Sequence, residues 1–105
     1  MKIIWSDFAV ESLKGIFDYY KVNVNRKVAE QIRGQILNST KQFIHFPESG
    51  QVELFLEQHH YHYRYILTGN YKIIYRMEEN QLFINDVFDV KRNPNRMIDV
   101  KRNIG

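Results

Sequence analysis

Between residues 61 and 89 the chain carries three β-forming runs, YHYRYIL, YKIIYRM and QLFINDVF, separated only by Thr68-Gly69-Asn70 and Glu78-Glu79-Asn80. Tyrosine, isoleucine and phenylalanine suit a half-buried pleated surface, and glycine and asparagine mark tight turns, with Asn80 able to take a positive φ. The stretch reads as a three-stranded meander over residues 61–67, 71–77 and 81–88.

Register decides what this meander presents, because a one-residue slip moves every side chain to the other face. A three-residue turn over Thr68-Gly69-Asn70 sets Leu67 opposite Tyr71. Tyr63, Tyr65, Tyr71, Ile73 and Tyr75 then share one face, and Arg64, Ile66, Lys72, Ile74 and Arg76 the other. A two-residue Gly69-Asn70 turn mixes tyrosines with cations. The three-residue turn is the expectation, since it sorts an aromatic core face from a basic one. The third run alternates less cleanly: Leu82, Ile84 and Phe88 are joined by apolar Phe83 and Val87, as in a strand buried on both sides.

Upstream, residues 2–5 form a short apolar run that reads as a strand. Ser6 is placed to cap a helix with Asp7 in its first turn, and Ala9, Leu13, Ile16, Phe17 and Tyr20 follow at helical spacing over residues 6–22. Gly15 interrupts that helix at a cost of roughly 1 kcal/mol relative to alanine, which close packing against a neighbour would explain. A second helix is expected over residues 25–46, with Val28, Ala29, Ile32, Ile36 and Phe43 on one face and Pro47 as its stop. The short break between the two makes an antiparallel hairpin, packed on the tyrosine face. Residues 51–57 alternate as a further strand. The order is β-α-α-β-β-β with one more strand possible: a small α+β domain, its helices on one face of a largely antiparallel sheet.

A chain of 105 residues accommodates one such domain. It has no cysteine, so it has neither a disulfide framework nor a thiolate metal site. No run is long or apolar enough to cross a bilayer, and MKIIWSDF lacks the hydrophobic region of a signal peptide; a reducing cytoplasm fits. His45, His59, His60 and His62 are present, but no third ligand stands at a fixed spacing from the alternating His60 and His62, and no cofactor is implied. The net charge is +3, with Lys91, Arg92, Arg96, Lys101 and Arg102 crowded at the end against Asp99 alone.

The basic face is the main chemical signal. Arg64, Lys72 and Arg76, flanked by Lys91 and Arg92, form a patch able to hold a phosphodiester and stabilise charge developing on it. Glu53, His60, His62 and Asp89 are of the right type for a base in cleavage through a 2′-hydroxyl. The alternative is a solvated face whose cations pair with Glu53, Glu57 and Asp89.

The order of IIWS, an alanine three residues on, a helical hairpin ending in FP, Gly50, YRYILTGNYKIIYR and VFDVKRNP resembles the RelE/ParE superfamily of type II toxin–antitoxin toxins. The resemblance covers residues 2 to about 98, so 1–98 is read as the toxin domain and 99–105 as a basic tail. It implies a β-sheet with a helical hairpin, a cytoplasmic growth inhibitor and a neutralising antitoxin. RelE-like members cut mRNA on the ribosome, whereas ParE-like members poison DNA gyrase.

Carried over residue by residue, the RelE catalytic pattern is incomplete. Arg64 matches its first basic position, Ile66 stands where a lysine base is found, Lys72 matches an arginine, and the C-terminal basic position falls at Lys91 or Arg92. No tyrosine follows Tyr75 to match a late catalytic one. A related nuclease group carries a glutamate that Glu53 matches, but also a His-Tyr pair where this chain has Asp89-Val90. The resemblance therefore leans to the ParE-like branch and to gyrase. On that reading Arg64, Lys72, Arg76, Lys91 and Arg92 bind the target or the antitoxin. On the alternative, a RelE-like nuclease with ribosome and mRNA as partners, Arg64, Lys72, Glu53 and Arg92 are catalytic. A non-toxic nucleic-acid-binding module is the third reading.

Overall fold

The computed structural model describes residues 1–57 and 61–91. Strand β1 (Lys2–Trp5) leads into helix α1 (Asp7–Asn23) and helix α2 (Arg26–Ser39). A 3-10 turn over Thr40–Ile44, strand β2 (Gln51–Val52) and a second 3-10 turn over Leu54–Leu56 follow. The chain then makes the meander, β3 (Tyr63–Thr68), β4 (Tyr71–Glu78) and β5 (Gln81–Asp89). The sheet order is β1-β5-β4-β3-β2, with β1 parallel to β5 and the other pairs antiparallel. This is the expected α+β architecture of a helical hairpin packed on one face of a largely antiparallel sheet.

Local chemistry fixes the helix ends. The Ser6 hydroxyl oxygen accepts the Ala9 amide at 3.0 Å and donates to the Asn85 carbonyl at 3.1 Å, so the α1 cap is also its tether to β5. Asn25 caps α2 by accepting the Val28 amide at 2.8 Å. Helix α2 stops short of the expected residue 46. Ser39 and Thr40 hydroxyls donate back to the Ile36 and Leu37 carbonyls, both at 2.7 Å, and the chain tightens into the 3-10 turn. The expected strand over 51–57 also breaks early. The Glu53 carboxylate accepts the Phe55 amide at 3.2 Å, and this turn drives Leu56 under the sheet.

The expected register is wrong by one residue. Thr68 pairs with Tyr71, leaving Gly69-Asn70 as a two-residue turn. Gly69 takes φ +57°, the positive angle at the first central residue that suits the twist of a tight hairpin. The second turn is likewise Glu79-Asn80, and it is Glu79, not Asn80, that takes the positive φ. Tyr71, Ile73 and Tyr75 therefore face the helices, in a core with Ala9, Ile36, Phe43, Leu82, Ile84 and Val87. Tyr63 and Tyr65 lie on the other face, where Tyr63 packs with Leu56, Ile74 and Phe88. Both faces of the central strand are thus closed, and Ile73, Ile74 and Tyr75 are all fully buried.

An irregularity in β5 explains its broken alternation. Ile74 pairs with Asp86 and Tyr75 with Ile84, so Asn85 is an extra residue. Past this bulge Val87 joins the same core as Leu82 and Ile84, while Phe88 joins the opposite one. Of the residues expected in the core, Ile36, Ile73 and Tyr75 are buried, whereas Leu13, Ile16, Phe17 and Ile32 are half-buried at its margin. Close packing does not account for Gly15: a Cβ built there meets nothing within 4 Å.

Candidate functional site

The two-residue turn splits the expected basic face. Arg64 is in register with Tyr75 and shares the helix-side face, whereas Lys72 and Arg76 point the other way with Tyr63, Tyr65 and Ile74. Arg92 and His60 lie outside the described residues.

On the helix side Arg64 is structural. Its Nη1 donates to the Gly50 carbonyl at 2.9 Å, and the Gly50 amide in turn donates to the Tyr75 hydroxyl at 2.9 Å. Burial raises the Tyr75 phenol above its ordinary range, while the Gly50 amide and the Arg64 charge act the other way.

On the opposite face Lys72 and Glu53 meet. The Lys72 ammonium lies 2.7 Å from Glu53 Oε2 and 4.3 Å from the centre of the Tyr65 ring. Glu53 is 4% exposed and Lys72 22% exposed, so the carboxylate has little access to water and depends on this ammonium and the Phe55 amide. Arg76 is held between two aromatic rings, with its guanidinium 3.9 Å from the centre of Tyr61 and 4.3 Å from that of Phe83. Its Nη1 is 2.5 Å from Glu78 Oε2. These platforms, Tyr61, Tyr65 and Phe83, were not singled out from the sequence. Their signal is an aromatic residue at alternate or cross-strand positions to a cation, which is readable only once the register is right.

A second feature lies on the other side of the sheet. Helix α1 and the C-terminal end of β5 enclose an open cleft of about 600 Å³, lined by Phe8, Glu11, Gly15, Tyr19, Tyr20, Tyr71, Asp89 and Lys91, among others. The Tyr71 hydroxyl donates to that of Tyr20 at 3.3 Å. Burial, followed by this bond and the neighbouring Tyr20 and Asp89, pushes the Tyr71 phenol far above its ordinary range. Lys91, expected beside Lys72, instead stands at this cleft, its amide donating to Asp89 Oδ1 at 2.9 Å. Among the described residues no group of three or more histidine, aspartate or glutamate side chains is arranged to hold a metal.

The fold is thus a helical hairpin on one face of a five-stranded sheet whose first strand runs parallel to the last. The family model described as the ParE toxin of type II toxin–antitoxin systems, parDE, matches residues 3–94, and the chain belongs to that family. Its fold is similar to a solved chain of the chromosomal ParDE toxin–antitoxin system from P. aeruginosa. The TM-score is 0.73 at 17% identity, over 86% of this chain and 96% of that one. No curated protein matches. Membership makes the protein a ParE-like type II toxin, for which the family implies an antitoxin partner. No described helix is long and apolar enough to cross a membrane.

Proposed function

We propose that this toxin arrests growth in the cytoplasm by binding a cellular protein, DNA gyrase on its ParE-like character, and not by cutting RNA. The observation that supports this is the separation of the candidate cations. Electrostatic stabilisation of a phosphoryl transition state needs donors converging on one point, with a base within reach. Here Arg64 and Lys72 lie on opposite faces, and each is already engaged, with the Gly50 carbonyl and with Glu53. Arg76, stacked between two rings and paired with Glu78, serves as a rigid contact surface rather than a mobile acid or anion clamp. We assign polar contacts with the antitoxin to Lys72 and Arg76, supplemented by apolar side chains of the helical hairpin.

The adjacency of Lys72 and Glu53 is the one observation that favours the nuclease reading, since it sets a cation able to hold a phosphate 2.7 Å from a carboxylate of the type that serves as a base. Two assays separate the readings. In the first, purified toxin is added to gyrase and supercoiled DNA, and accumulation of cleaved gyrase–DNA complexes is expected; in cells, induction of the DNA-damage response and filamentation should precede any loss of translation. In the second, toxin is added to translating ribosomes. Site-specific mRNA cuts there, lost in Lys72→Ala and Glu53→Gln, together with inert gyrase, would overturn the proposal.

A further inference from the structure

The cleft beside α1 holds charge and aromatic surface that the fold does not use. Glu11 stands on its α1 wall and Asp89 on its β5 wall. Glu30, Glu53 and Glu78 each pair with a cation, but among the described residues neither Glu11 nor Asp89 has an ion-pair partner. Asp89 Oδ1 accepts the Lys91 main-chain amide. In a protein of net charge +3 this is a local reversal: among the described residues lining the cleft, the exposed Lys91 is the one cation. The Tyr71 phenol, which also lines it, senses the same field. Burial is the main reason that this phenol holds its proton, followed by its bond with Tyr20 and then by the charge of Tyr20, Asp89 and Tyr19.

The rest of the lining is largely aromatic. Tyr19 and Tyr20 meet edge to face, with ring centres 5.2 Å apart and planes at 88°. Tyr19 is 60% exposed, so its ring stands open to a ligand. Gly15 adds room, because a Cβ built there meets nothing within 4 Å and any side chain would enter the cleft. Carboxylates on two walls, with tyrosine rings in the same lining, complement a molecule with a positive charge at each end and an apolar chain between. Ammonium groups gain from ion pairs and from aromatic faces, and methylene groups gain from covering the rings. A hard metal ion instead needs several oxygens converging on one point, and among the described residues no such group of acidic side chains exists.

We propose that the cleft between α1 and the end of β5 binds a small aliphatic polyamine, with one ammonium at Glu11, another at Asp89 and the methylene chain laid over Tyr19 and Tyr20. Such a ligand bridges the first helix and the last strand, and so stabilises the folded toxin. The site lies on the opposite side of the sheet from Lys72 and Arg76, and the inference does not depend on which cellular target the toxin acts upon.

The test uses the full chain, labelled at its amides and tyrosine rings, with spermidine as the probe at neutral pH and low salt. Titration should saturably shift the Gly15 and Asp89 amide resonances and the ring resonances of Tyr19 and Tyr20. 1-Aminobutane, with one charge, should bind at least about tenfold more weakly, because the second ion pair of spermidine forms within the same complex. Magnesium chloride should not reproduce the ring shifts. Glu11→Gln, a change at an exposed position, should weaken spermidine at least about threefold. Gly15→Leu fills the cleft without touching the core, so it should keep or raise the melting temperature and weaken spermidine at least about tenfold. Lys91→Gln should tighten it by relieving repulsion. Absence of saturable binding, shifts centred away from the cleft, equal affinity for 1-aminobutane, the same ring shifts with magnesium, or undiminished binding by Glu11→Gln or Gly15→Leu would each overturn the proposal.

Discussion

Gly50 is the position where one added methyl group should do the most damage. An alanine Cβ there would lie 2.5 Å from the Tyr75 hydroxyl oxygen, 2.7 Å from the Tyr65 carbonyl oxygen and 2.7 Å from Tyr75 Cε1. None of these can retreat. Tyr65 is fixed between Gln51 and Ile74 in the sheet, and the Tyr75 ring is fully buried with its centre 4.3 Å from that of Phe43. The strain must therefore be relieved by moving the segment around Gly50 outward. That movement breaks the bond from the Gly50 amide to Tyr75 and the bond from Arg64 to the Gly50 carbonyl. Overpacking of this kind costs about 1–3 kcal/mol, and a buried polar group left unpaired about as much again. Gly50→Ala should thus lose about 3–4 kcal/mol, or roughly 15–25 °C in melting temperature for a domain of this size. Urea unfolding followed by circular dichroism measures it. Tyr75→Phe removes one of the three clashing atoms, so in the double mutant the two losses should sum to less than their separate values. A Gly50→Ala loss below about 1 kcal/mol, or strict additivity with Tyr75→Phe, would refute the account of this corner.

Two further outcomes follow from the paired and buried groups. Lys72→Met strands the nearly inaccessible Glu53 carboxylate and should cost about 3 kcal/mol by urea unfolding; Glu53→Gln, which leaves the partly exposed ammonium able to reach water, should cost less, and adding it to Lys72→Met should recover most of the loss. In alkaline solution the folded state holds the Tyr71 proton more tightly than the unfolded chain, whose phenol titrates near pH 10, so its contribution is complete below about pH 10 and is lost as pH rises beyond it. The slope of stability against pH should therefore be shallower in Tyr71→Phe above about pH 10, by up to about 1.4 kcal/mol per pH unit, and unchanged at neutral pH; identical slopes would rule out the Tyr71 contribution.

The helical hairpin was legible in the sequence because its signals are local: Ser6 as cap, the spacing of Ala9, Leu13 and Ile16, and the apolar face of Val28, Ala29, Ile32 and Ile36. The meander was legible as three strands for the same reason. Its register was not, because the choice between turns rested on separating tyrosines from cations. The protein does not separate them. Lys72 and Arg76 lie across the faces of Tyr65, Tyr61 and Phe83, and their aliphatic stems and π contacts make a mixed face stable. Pairing of these cations with Glu53 was legible as one reading, but its route was not, since the strand expected over residues 51–57 gives no hint that the carboxylate caps a turn and then reaches under β3 to Lys72. The bulge at Asn85 left only an indirect trace, the apolar pair Val87-Phe88 in a strand that otherwise alternates.

The parallel pairing of β1 with β5 joins the first residues of the chain to a strand that begins at Gln81. Synthesis runs from the N-terminus, so β1 is made first and has no partner until the meander is nearly finished. Helix α1 is in the same position, for its cap is tethered to Asn85 and its inner face packs on β5. Closing so long a loop makes this contact a late and slow event in folding. A ribosome that stops anywhere before Gln81 therefore releases a chain whose first strand has nothing to pair with. Premature stop codons as late as β4 should yield harmless, protease-sensitive fragments, so that a cell inheriting a broken copy of this toxin is spared even a partially active one.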